Sequence, residues 1–174
     1  MKFDTVFIDR DGTIGGNGHY CSVEDFVLFE HSLASIQLLK EKGCRVFALT
    51  NQTKISDGTM NEEELRCSLL AMGFTDVFIC PHHETEGCHC RKPKIGLIEE
   101  AENKYLFERK NAVIIGDSYK ADMGCAKNSQ IVGIHVATGR DAEDKSLCHA
   151  HECLEVADIY EAAQWIVAQN SKTN

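Results

Sequence analysis

The sequence is poor in proline, in tryptophan and in positive charge. Its 174 residues include 2 Pro and 1 Trp, and 18 Lys and Arg stand against 27 Asp and Glu, a formal net charge of −9. This excess of acidic residues disfavours nucleic acid and anionic membranes as partners, because both would repel the protein. With 43% hydrophobic residues and 13 Gly, the composition also excludes collagen-like and disordered chains. We expect one globular domain over residues 1–174.

Long hydrophobic runs are also missing. No segment approaches the ~20 apolar residues of a membrane-spanning helix, and the first residues, MKFDTVFIDRDGT, place charges where a signal peptide would need its apolar core. We therefore expect a cytoplasmic monomer in which thiols stay reduced. The 9 Cys are too sparse for a disulfide scaffold, so burial or metal binding must explain them. The cysteines expected to be small buried hydrophobes are Cys21, Cys44, Cys67 and Cys125.

Short apolar runs alternate with helical patterns along the chain. The predicted strands are Thr5–Ile8, Arg45–Leu49, Val77–Cys80, Ala112–Ile115 and Ile131–Val136. The predicted helices are Ser32–Lys42 with Ser32 as its N-cap, Glu62–Met72, Gly96–Tyr105, Lys120–Lys127 and Tyr160–Ala168, followed by a frayed polar tail from residue 169. This alternation predicts an α/β fold with a doubly wound, Rossmann-like parallel sheet flanked by helices.

Polar residues follow three of the predicted strands. Asp9 and Asp11 follow the first strand, Thr50 follows the second, and Asp117 and Asp122 follow the fourth. Because the carboxyl ends of parallel strands meet at one edge of a sheet, these side chains should share a crevice. Several carboxylates in one crevice repel each other unless a divalent cation lies among them, and oxygen ligands favour Mg²⁺. The pattern predicts a magnesium site.

An anionic substrate would also need a cation and a hydroxyl, which Lys92 and Thr50 can provide. The sequence then shows four motifs in order: DRDGT at 9–13, Thr50-Asn51, Lys92 before a helix, and GDSYKAD at 116–122. Together they resemble the haloacid dehalogenase superfamily of phosphohydrolases. The alternative, a set of solvated turns and helix caps, would have to explain all of these strand ends at once.

The resemblance implies a reaction at the first strand end. Asp9 would be the nucleophile that forms an aspartyl-phosphate, and Asp11 would be the general acid and then the general base. Asp9, the backbone carbonyl of Asp11 and Asp117 would bind Mg²⁺, while Asp122 would support the metal indirectly. The catalytic residues that the resemblance implies are Asp9, Asp11, Thr50 and Lys92.

A second constellation lies in residues 80–90, which we call the Cys/His loop. Three thiols and one imidazole form two closely spaced pairs, the composition of a closed structural Zn²⁺ site; the predicted ligands are Cys80, His82, Cys88 and Cys90. A buried or reactive cysteine cluster is the alternative, but so polar a loop has no core in which to bury three thiols. A bound metal would fix the segment that carries Arg91 and Lys92.

The Cys/His spacing followed by CRKP at 90–93 narrows the resemblance to the capless branch that contains histidinol-phosphate phosphatases and D-glycero-D-manno-heptose bisphosphate phosphatases. The predicted elements leave no room for a cap domain. Residues 17–20, NGHY, look like the substrate loop of the heptose enzymes, whereas the five residues between His82 and Cys88 resemble the shorter loop of the histidinol-phosphate enzymes. The expected substrate-binding residues are Asn17, Gly18, His19, Tyr20, Asn51, Gln52 and Arg91.

These resemblances imply a Mg²⁺-dependent phosphomonoesterase for a small phosphorylated metabolite, with a sugar phosphate or bisphosphate as the expected substrate and histidinol phosphate as the alternative. A phospho-receiver domain is disfavoured because its acceptor Asp would follow the third strand, where the Cys/His loop begins. A silent zinc-stabilised binding module is disfavoured because the acidic residues and the Lys are all present. A last cluster, Cys148, His149, His151 and Cys153, resembles a metal site, but its crowding into six residues favours a solvated loop.

Overall fold

The computed structural model describes residues 2–139 and 153–172. Its strands are β1 Thr5–Ile8, β2 Arg45–Asn51, β3 Asp76–Cys80, β4 Ala112–Gly116, β5 Val132–Val136 and β6 Cys153–Val156. They form one parallel sheet in the order β3-β2-β1-β4-β5-β6. The helices are α1 Ser32–Glu41, α2 Glu62–Ala71, α3 Gly96–Tyr105, α4 Gly124–Ser129 and α5 Ile159–Ser171. The predicted doubly wound sheet is confirmed.

The central strands are apolar throughout because both faces of the sheet are covered. Along β1, Val6 and Ile8 pack into the cluster that α1, α2 and α5 complete, whereas Phe7 packs into the cluster formed with α3 and α4. Removing this apolar surface from water stabilises the fold by roughly 25 cal/mol per Å². The same alternation in β2 and β4 places helices on both faces.

The predicted N-cap residue of α1 is wrong. His31, not Ser32, is the N-cap residue; its φ is 70° and no side chain caps the helix there. Ser32 is buried, and its hydroxyl has no hydrogen-bond partner in the described part of the chain. Helix α2, in contrast, begins as its sequence indicates, since the Asn61 side chain accepts hydrogen bonds from the backbone N–H groups of Glu63 and Glu64.

Two features near the C-terminus differ from the sequence prediction. Strand β6 was not predicted, although Leu154 and Val156 alternate with Glu155 and pack against the core. Helix α5 continues into the segment predicted as a frayed tail. Asn170 explains the difference, because its side chain accepts from the backbone N–H of Phe3 at 2.6 Å and donates to the Phe3 carbonyl at 2.7 Å.

The centre of the sheet is where strand order reverses, between β1 and β4. The backbone N–H of Asp9 donates to the Ile115 carbonyl at 2.9 Å, so the chain leaves these two strands side by side. Open α/β sheets bind their ligands in the crevice at such a point. The residues described between Asp11 and Lys92 form α1, β2, α2, β3 and connecting segments, with no separate cap domain. No helix of the described ranges is long and apolar enough to cross a membrane.

Candidate active site

A small cavity of about 40 Å³ lies beyond the carboxyl ends of β1, β2 and β4. Its walls contain every residue predicted to be catalytic or to hold Mg²⁺: Asp9, Asp11, Thr50, Lys92, Asp117 and Asp122, together with Asn51, Ser118 and Ala121. The topology thus brings together side chains as far apart in the sequence as Asp9 and Asp122. We call this the inner cavity.

Three carboxylates meet in the inner cavity. Asp9, Asp117 and Asp122 each place an oxygen within 4.8 Å of the others, and all three residues are buried. Such a set of hard oxygen donors fits Mg²⁺, which would also offset the repulsion between buried negative charges. The carboxylate of Asp11 is not part of this set, so it remains separate from the group that could hold the ion.

Lys92 supplies positive charge to the same cavity. Its Nζ donates to Oδ1 of Asp9 at 2.8 Å, to Oδ1 of Asp122 at 2.5 Å and to the Leu49 carbonyl at 2.6 Å. Burial disfavours the charged amine, but the two carboxylates outweigh that cost and raise the pKa of Lys92. Burial also raises the pKa of Asp122, to about 6, against the opposing effect of Lys92. Lys92, Asp9 and Asp122 therefore form a compact, desolvated charge network.

Asn51 and Gln52, both predicted to bind substrate, form hydrogen bonds to other residues of the site. The Asn51 amide accepts from the backbone N–H of Lys92 at 3.0 Å and donates to the Lys92 carbonyl at 3.1 Å. The Gln52 amide donates to Oδ2 of Asp11 at 2.5 Å and to Oγ1 of Thr50 at 2.9 Å. Both residues border the substrate space, but these amides position catalytic candidates instead of pointing into it.

Asp11 has surroundings that suit proton transfer. Burial raises its pKa, the charge of Arg10 opposes this, and the nearby Asp9 adds to it. Arg10 donates to Oδ1 of Asp11 at 2.6 Å. Arg10 itself was not predicted as a functional residue, although its place between two aspartates in the sequence was a visible signal.

Two glycines make room beside Asp117. A Cβ atom at Gly12 or at Gly139 would overlap the Asp117 carboxylate. Gly12 has a φ of 86° as well, a conformation that glycine adopts without strain. The hydroxyl of Thr138 donates to the Gly12 carbonyl at 2.6 Å, which holds these two segments together. We call Gly12 and Gly139 the glycine wall.

A larger cleft of about 500 Å³ adjoins the inner cavity, with which it shares Asp11, Asn51, Lys92, Ser118 and Ala121. It is bordered by most of the predicted substrate residues, namely Gly18, His19, Tyr20, Asn51, Gln52 and Arg91. Asn17 does not border it; its side chain accepts from the backbone N–H of His19 at 3.1 Å. We call this the outer cleft.

Positive charge is concentrated in the outer cleft. Its cationic residues are Lys54, Arg91, Lys92, Lys94 and Lys120, against the carboxylates of Asp11 and Glu84. Arg91 donates to the Thr53 hydroxyl at 3.1 Å and to the His82 carbonyl at 3.3 Å, and Lys94 donates to backbone carbonyls of the Cys/His loop. Lys94 and Lys120 were not identified from the sequence, although Lys94 lies only two residues beyond Lys92.

The Cys/His loop brings its four predicted ligands together. The sulfur–sulfur distances are 3.3 Å between Cys80 and Cys90, 3.6 Å between Cys88 and Cys90, and 3.7 Å between Cys80 and Cys88. His82 directs Nδ1 to within 3.2 Å of the Cys90 sulfur. A disulfide would need about 2.05 Å, whereas the edge of a tetrahedron with metal–sulfur bonds of about 2.3 Å is about 3.8 Å. The set therefore fits a tetrahedral metal ion.

The remaining cysteines correct part of the sequence interpretation. Cys44 and Cys125 are buried thiols as expected, but Cys21 is half-buried and Cys67 is exposed. Cys153 is disulfide-bonded, which contradicts the expectation that all thiols are reduced. Of the second metal-like cluster, Cys148, His149 and His151 lie outside the described residues.

Comparison with known proteins agrees with this geometry. The HAD-hydrolase-like family model matches residues 89–162. A Thermoplasma acidophilum protein named "Probable D-glycero-D-manno-heptose-1,7-bisphosphate 7-phosphatase" is 36% identical over 134 residues, which cover 71% of this chain and 84% of that protein. The chain belongs to the haloacid dehalogenase-like phosphatases.

The chain is similar to further proteins in sequence and in fold. The "Histidine biosynthesis bifunctional protein HisB" of Campylobacter jejuni is 30% identical over 147 residues, 77% of this chain and 42% of that protein. A crystal structure described as D,D-heptose 1.7-bisphosphate phosphatase from B. bronchiseptica, complexed with magnesium and phosphate, superposes with a TM-score of 0.79 at 21% identity and covers 96% of this chain and 99% of that one. This haloacid dehalogenase-like chain is a phosphoric monoester hydrolase.

Proposed function

We propose that this phosphatase removes one phosphate from a small sugar bisphosphate of the heptose type, through a covalent aspartyl-phosphate and with Mg²⁺ bound. The observation that carries the proposal is the joining of two spaces: an inner cavity with the catalytic candidates and an outer cleft rich in cations. One phosphate would enter the inner cavity, and the second would lie in the outer cleft.

Asp9 is the proposed nucleophile. One of its carboxylate oxygens would attack phosphorus, and the bond between phosphorus and the sugar oxygen would break. Lys92 holds Oδ1 of Asp9 in place, and Thr50 borders the same cavity with its hydroxyl. Mg²⁺, held by Asp9 and Asp117, would supply the positive charge that lets an anionic nucleophile approach an anionic phosphate.

Asp11 is the proposed proton donor and acceptor. In the first step it would give a proton to the departing sugar oxygen; in the second it would take a proton from the water that attacks phosphorus and releases Asp9. Burial raises its pKa, which favours the protonated form that the first step needs, and its carboxylate lies outside the group formed by Asp9, Asp117 and Asp122.

The charge of the outer cleft favours a bisphosphate. Neither Arg91 nor Lys94 has a carboxylate partner in the described part of the chain, so their charges are available to an anion. Histidinol phosphate would instead bring a cationic end into this cleft. It stays the second candidate because the similarity to the HisB protein and the carboxylate of Glu84 favour it.

A phosphate-release assay over a panel of esters tests the proposal. The panel contains a heptose bisphosphate, other sugar phosphates, histidinol phosphate and p-nitrophenyl phosphate, each with and without Mg²⁺. We expect the highest kcat/KM for a sugar bisphosphate, and only in the presence of Mg²⁺. A higher kcat/KM for histidinol phosphate than for every sugar phosphate would establish the second candidate instead.

We also propose that the Cys/His loop binds one structural Zn²⁺ through Cys80, His82, Cys88 and Cys90. Three thiolates and one imidazole are typical ligands of a closed structural zinc site. The loop carries the segment that supplies Arg91 and Lys92, so metal binding would fix both cations relative to the substrate. Elemental analysis of protein purified without added metal would measure its zinc content.

A further inference from the structure

One arginine lies between the two proposed catalytic aspartates and is almost fully buried. Arg10 is 1% exposed. Its NH1 donates to Oδ1 of Asp11 at 2.6 Å and to the Cys21 carbonyl at 3.0 Å, and its NH2 donates to the Ser22 carbonyl at 3.1 Å. The Cζ atom of its guanidinium lies over the Phe26 ring, 3.7 Å from the ring centre.

These contacts connect two parts of the site. Asp11 borders both the inner cavity and the outer cleft, and residues 21–22 continue directly from Gly18, His19 and Tyr20, which border the outer cleft. A planar guanidinium with several donors can hold a carboxylate and two carbonyls at fixed angles while it stacks on an aromatic ring. A lysine ammonium at this position would keep the charge but lose the fork and the stacking.

The Asp11 carboxyl is held from two sides. Arg10 binds Oδ1, and Gln52 binds Oδ2 at 2.5 Å. Rotation of this carboxyl would break at least one of these hydrogen bonds. Proton transfer to a leaving oxygen requires the acid to lie within hydrogen-bond reach of that oxygen, so a fixed carboxyl plane has a direct catalytic value.

We infer that Arg10 is a positioning residue that holds the Asp11 carboxyl in its proton-transfer orientation and fixes residues 17–22 against the outer cleft. One side chain thus sets both the proton donor and the wall that faces the far end of the substrate. The inference rests on the proposed function, in which Asp11 protonates the leaving group.

The test compares leaving groups in Arg10→Lys. A sugar or other alkyl phosphate needs a proton on its departing oxygen, whereas p-nitrophenyl phosphate has a leaving group that departs with little help from an acid. The quantity to compare is the single-turnover rate of leaving-group release, which reports formation of the aspartyl-phosphate and excludes its later hydrolysis, where Asp11 acts as the base for both substrates. We expect this rate to fall about 30- to 100-fold for the alkyl phosphate, at or below the lower end of acid–base contributions of about 10²–10⁴ because the acid is displaced and not removed, and less than about 5-fold for p-nitrophenyl phosphate. KM should rise for the sugar bisphosphate and stay nearly unchanged for p-nitrophenyl phosphate.

Two further variants show the route of the effect. In the Asp11→Asn background, Arg10→Lys should lower the single-turnover rate for the alkyl phosphate no further, because Arg10 acts through Asp11. Arg45→Lys is the matched control: Arg45 also donates to a backbone carbonyl, that of Tyr105, but it starts β2 at the edge of the sheet opposite the site. It should leave the ratio of the two single-turnover rates unchanged.

The outcomes separate this inference from the proposed function. An equal fall of the single-turnover rate for both substrates in Arg10→Lys, with Asp11→Asn still selective for the alkyl phosphate, would overturn the role of Arg10 alone. If Asp11→Asn also lowered this single-turnover rate equally for both substrates, the proposed role of Asp11 as the acid would fail. Should Arg10→Lys not fold, Phe26→Leu weakens the stacking on Arg10 and must give a smaller shift with the same leaving-group preference; no preference would overturn the inference.

Discussion

The two candidate metal sites are built in opposite ways. The carboxylates of Asp9, Asp117 and Asp122 come from two separate strand ends and are all buried. The ligands of the Cys/His loop come from one stretch of eleven residues (80–90), of which only Cys80 is buried. The first site exists because the sheet has formed. The second has little core of its own, so under the proposed function it would depend on the ion that it binds.

This difference has consequences for stability and activity. Buried like charges cost free energy, so the carboxylate site should weaken the fold when its cations are removed. A metal site that closes a polar loop should instead add stability, because metal binding and loop folding are linked. Mutations in the two sites therefore separate catalysis from structure.

The largest effect is expected at the nucleophile. Asp9→Asn should lower kcat at least ~10³-fold, because the covalent step is lost, while Tm stays unchanged or rises as one buried charge disappears. Steady-state kinetics on a sugar bisphosphate and a thermal melt measure both. Asp4→Asn, before the first residue of the same strand, is the control and should keep normal turnover. Near-normal turnover in Asp9→Asn would disprove the proposed mechanism.

The second-largest effect is expected from removing the buried cation of Lys92. Lys92→Met leaves Asp9 and Asp122 without their shared partner, and breaking a buried pair typically costs about 3–5 kcal/mol of unfolding free energy. Added Mg²⁺ should restore part of this loss. Lys104→Met removes an exposed cation that donates to Asp76 and should cost less than about 1 kcal/mol. Similar losses in both variants, measured by urea unfolding, would contradict the charge network described for Lys92.

A smaller effect on stability is expected at the Cys/His loop. Cys90→Ser should abolish zinc binding and lower Tm by about 5–10 °C, equivalent to about 2–3 kcal/mol for a chain of this size. Cys67→Ser is the matched control, because that thiol is exposed and lies outside the loop. Zinc retained at one ion per chain in Cys90→Ser, or a wild-type preparation without zinc, would count against the proposed site.

The smallest effect is expected at the rim of the outer cleft. Arg91→Ala should raise KM for a sugar bisphosphate about 10-fold, equivalent to about 1.4 kcal/mol, with little change for p-nitrophenyl phosphate, which has no second anion. Arg66→Ala serves as control, since Arg66 donates to the Val77 carbonyl away from the cleft. An equal rise in KM for both substrates would show that Arg91 does not read the second phosphate.

The same contrast explains what the sequence could predict. The Cys/His ligands were predictable as a set because their spacing is local, and the strand ends were predictable because apolar runs stop at polar residues. The roles of Asn51 and Gln52 were not, because an amide has no preferred partner until Lys92, 41 positions from Asn51, and Asp11, 41 positions from Gln52, are in place. Their assignment as substrate contacts came from position in the motif alone.

Elements at the periphery were missed for a related reason. β6 is short and only partly buried, so its period-two pattern was too brief to stand out. The residues predicted as one helix from 120 to 127 form a π-helical turn over Tyr119–Met123 followed by α4. That turn contains Asp122, and the Ser118 backbone N–H before it donates to the same carboxylate at 3.1 Å. Such π-helical turns are frequent at functional sites, and they follow from tertiary contacts.

The glycine wall has a consequence for how this protein can vary. Gly12 and Gly139 contribute no side chain to the reaction, yet every other amino acid at either position would push a methyl group or more into the Asp117 carboxylate. A comprehensive mutational screen should therefore find two positions that tolerate no substitution although they carry no functional group. An engineer who enlarges the outer cleft for a bulkier phosphate ester can redesign residues 17–22 and the rim cations, but this side of the inner cavity has to stay as it is.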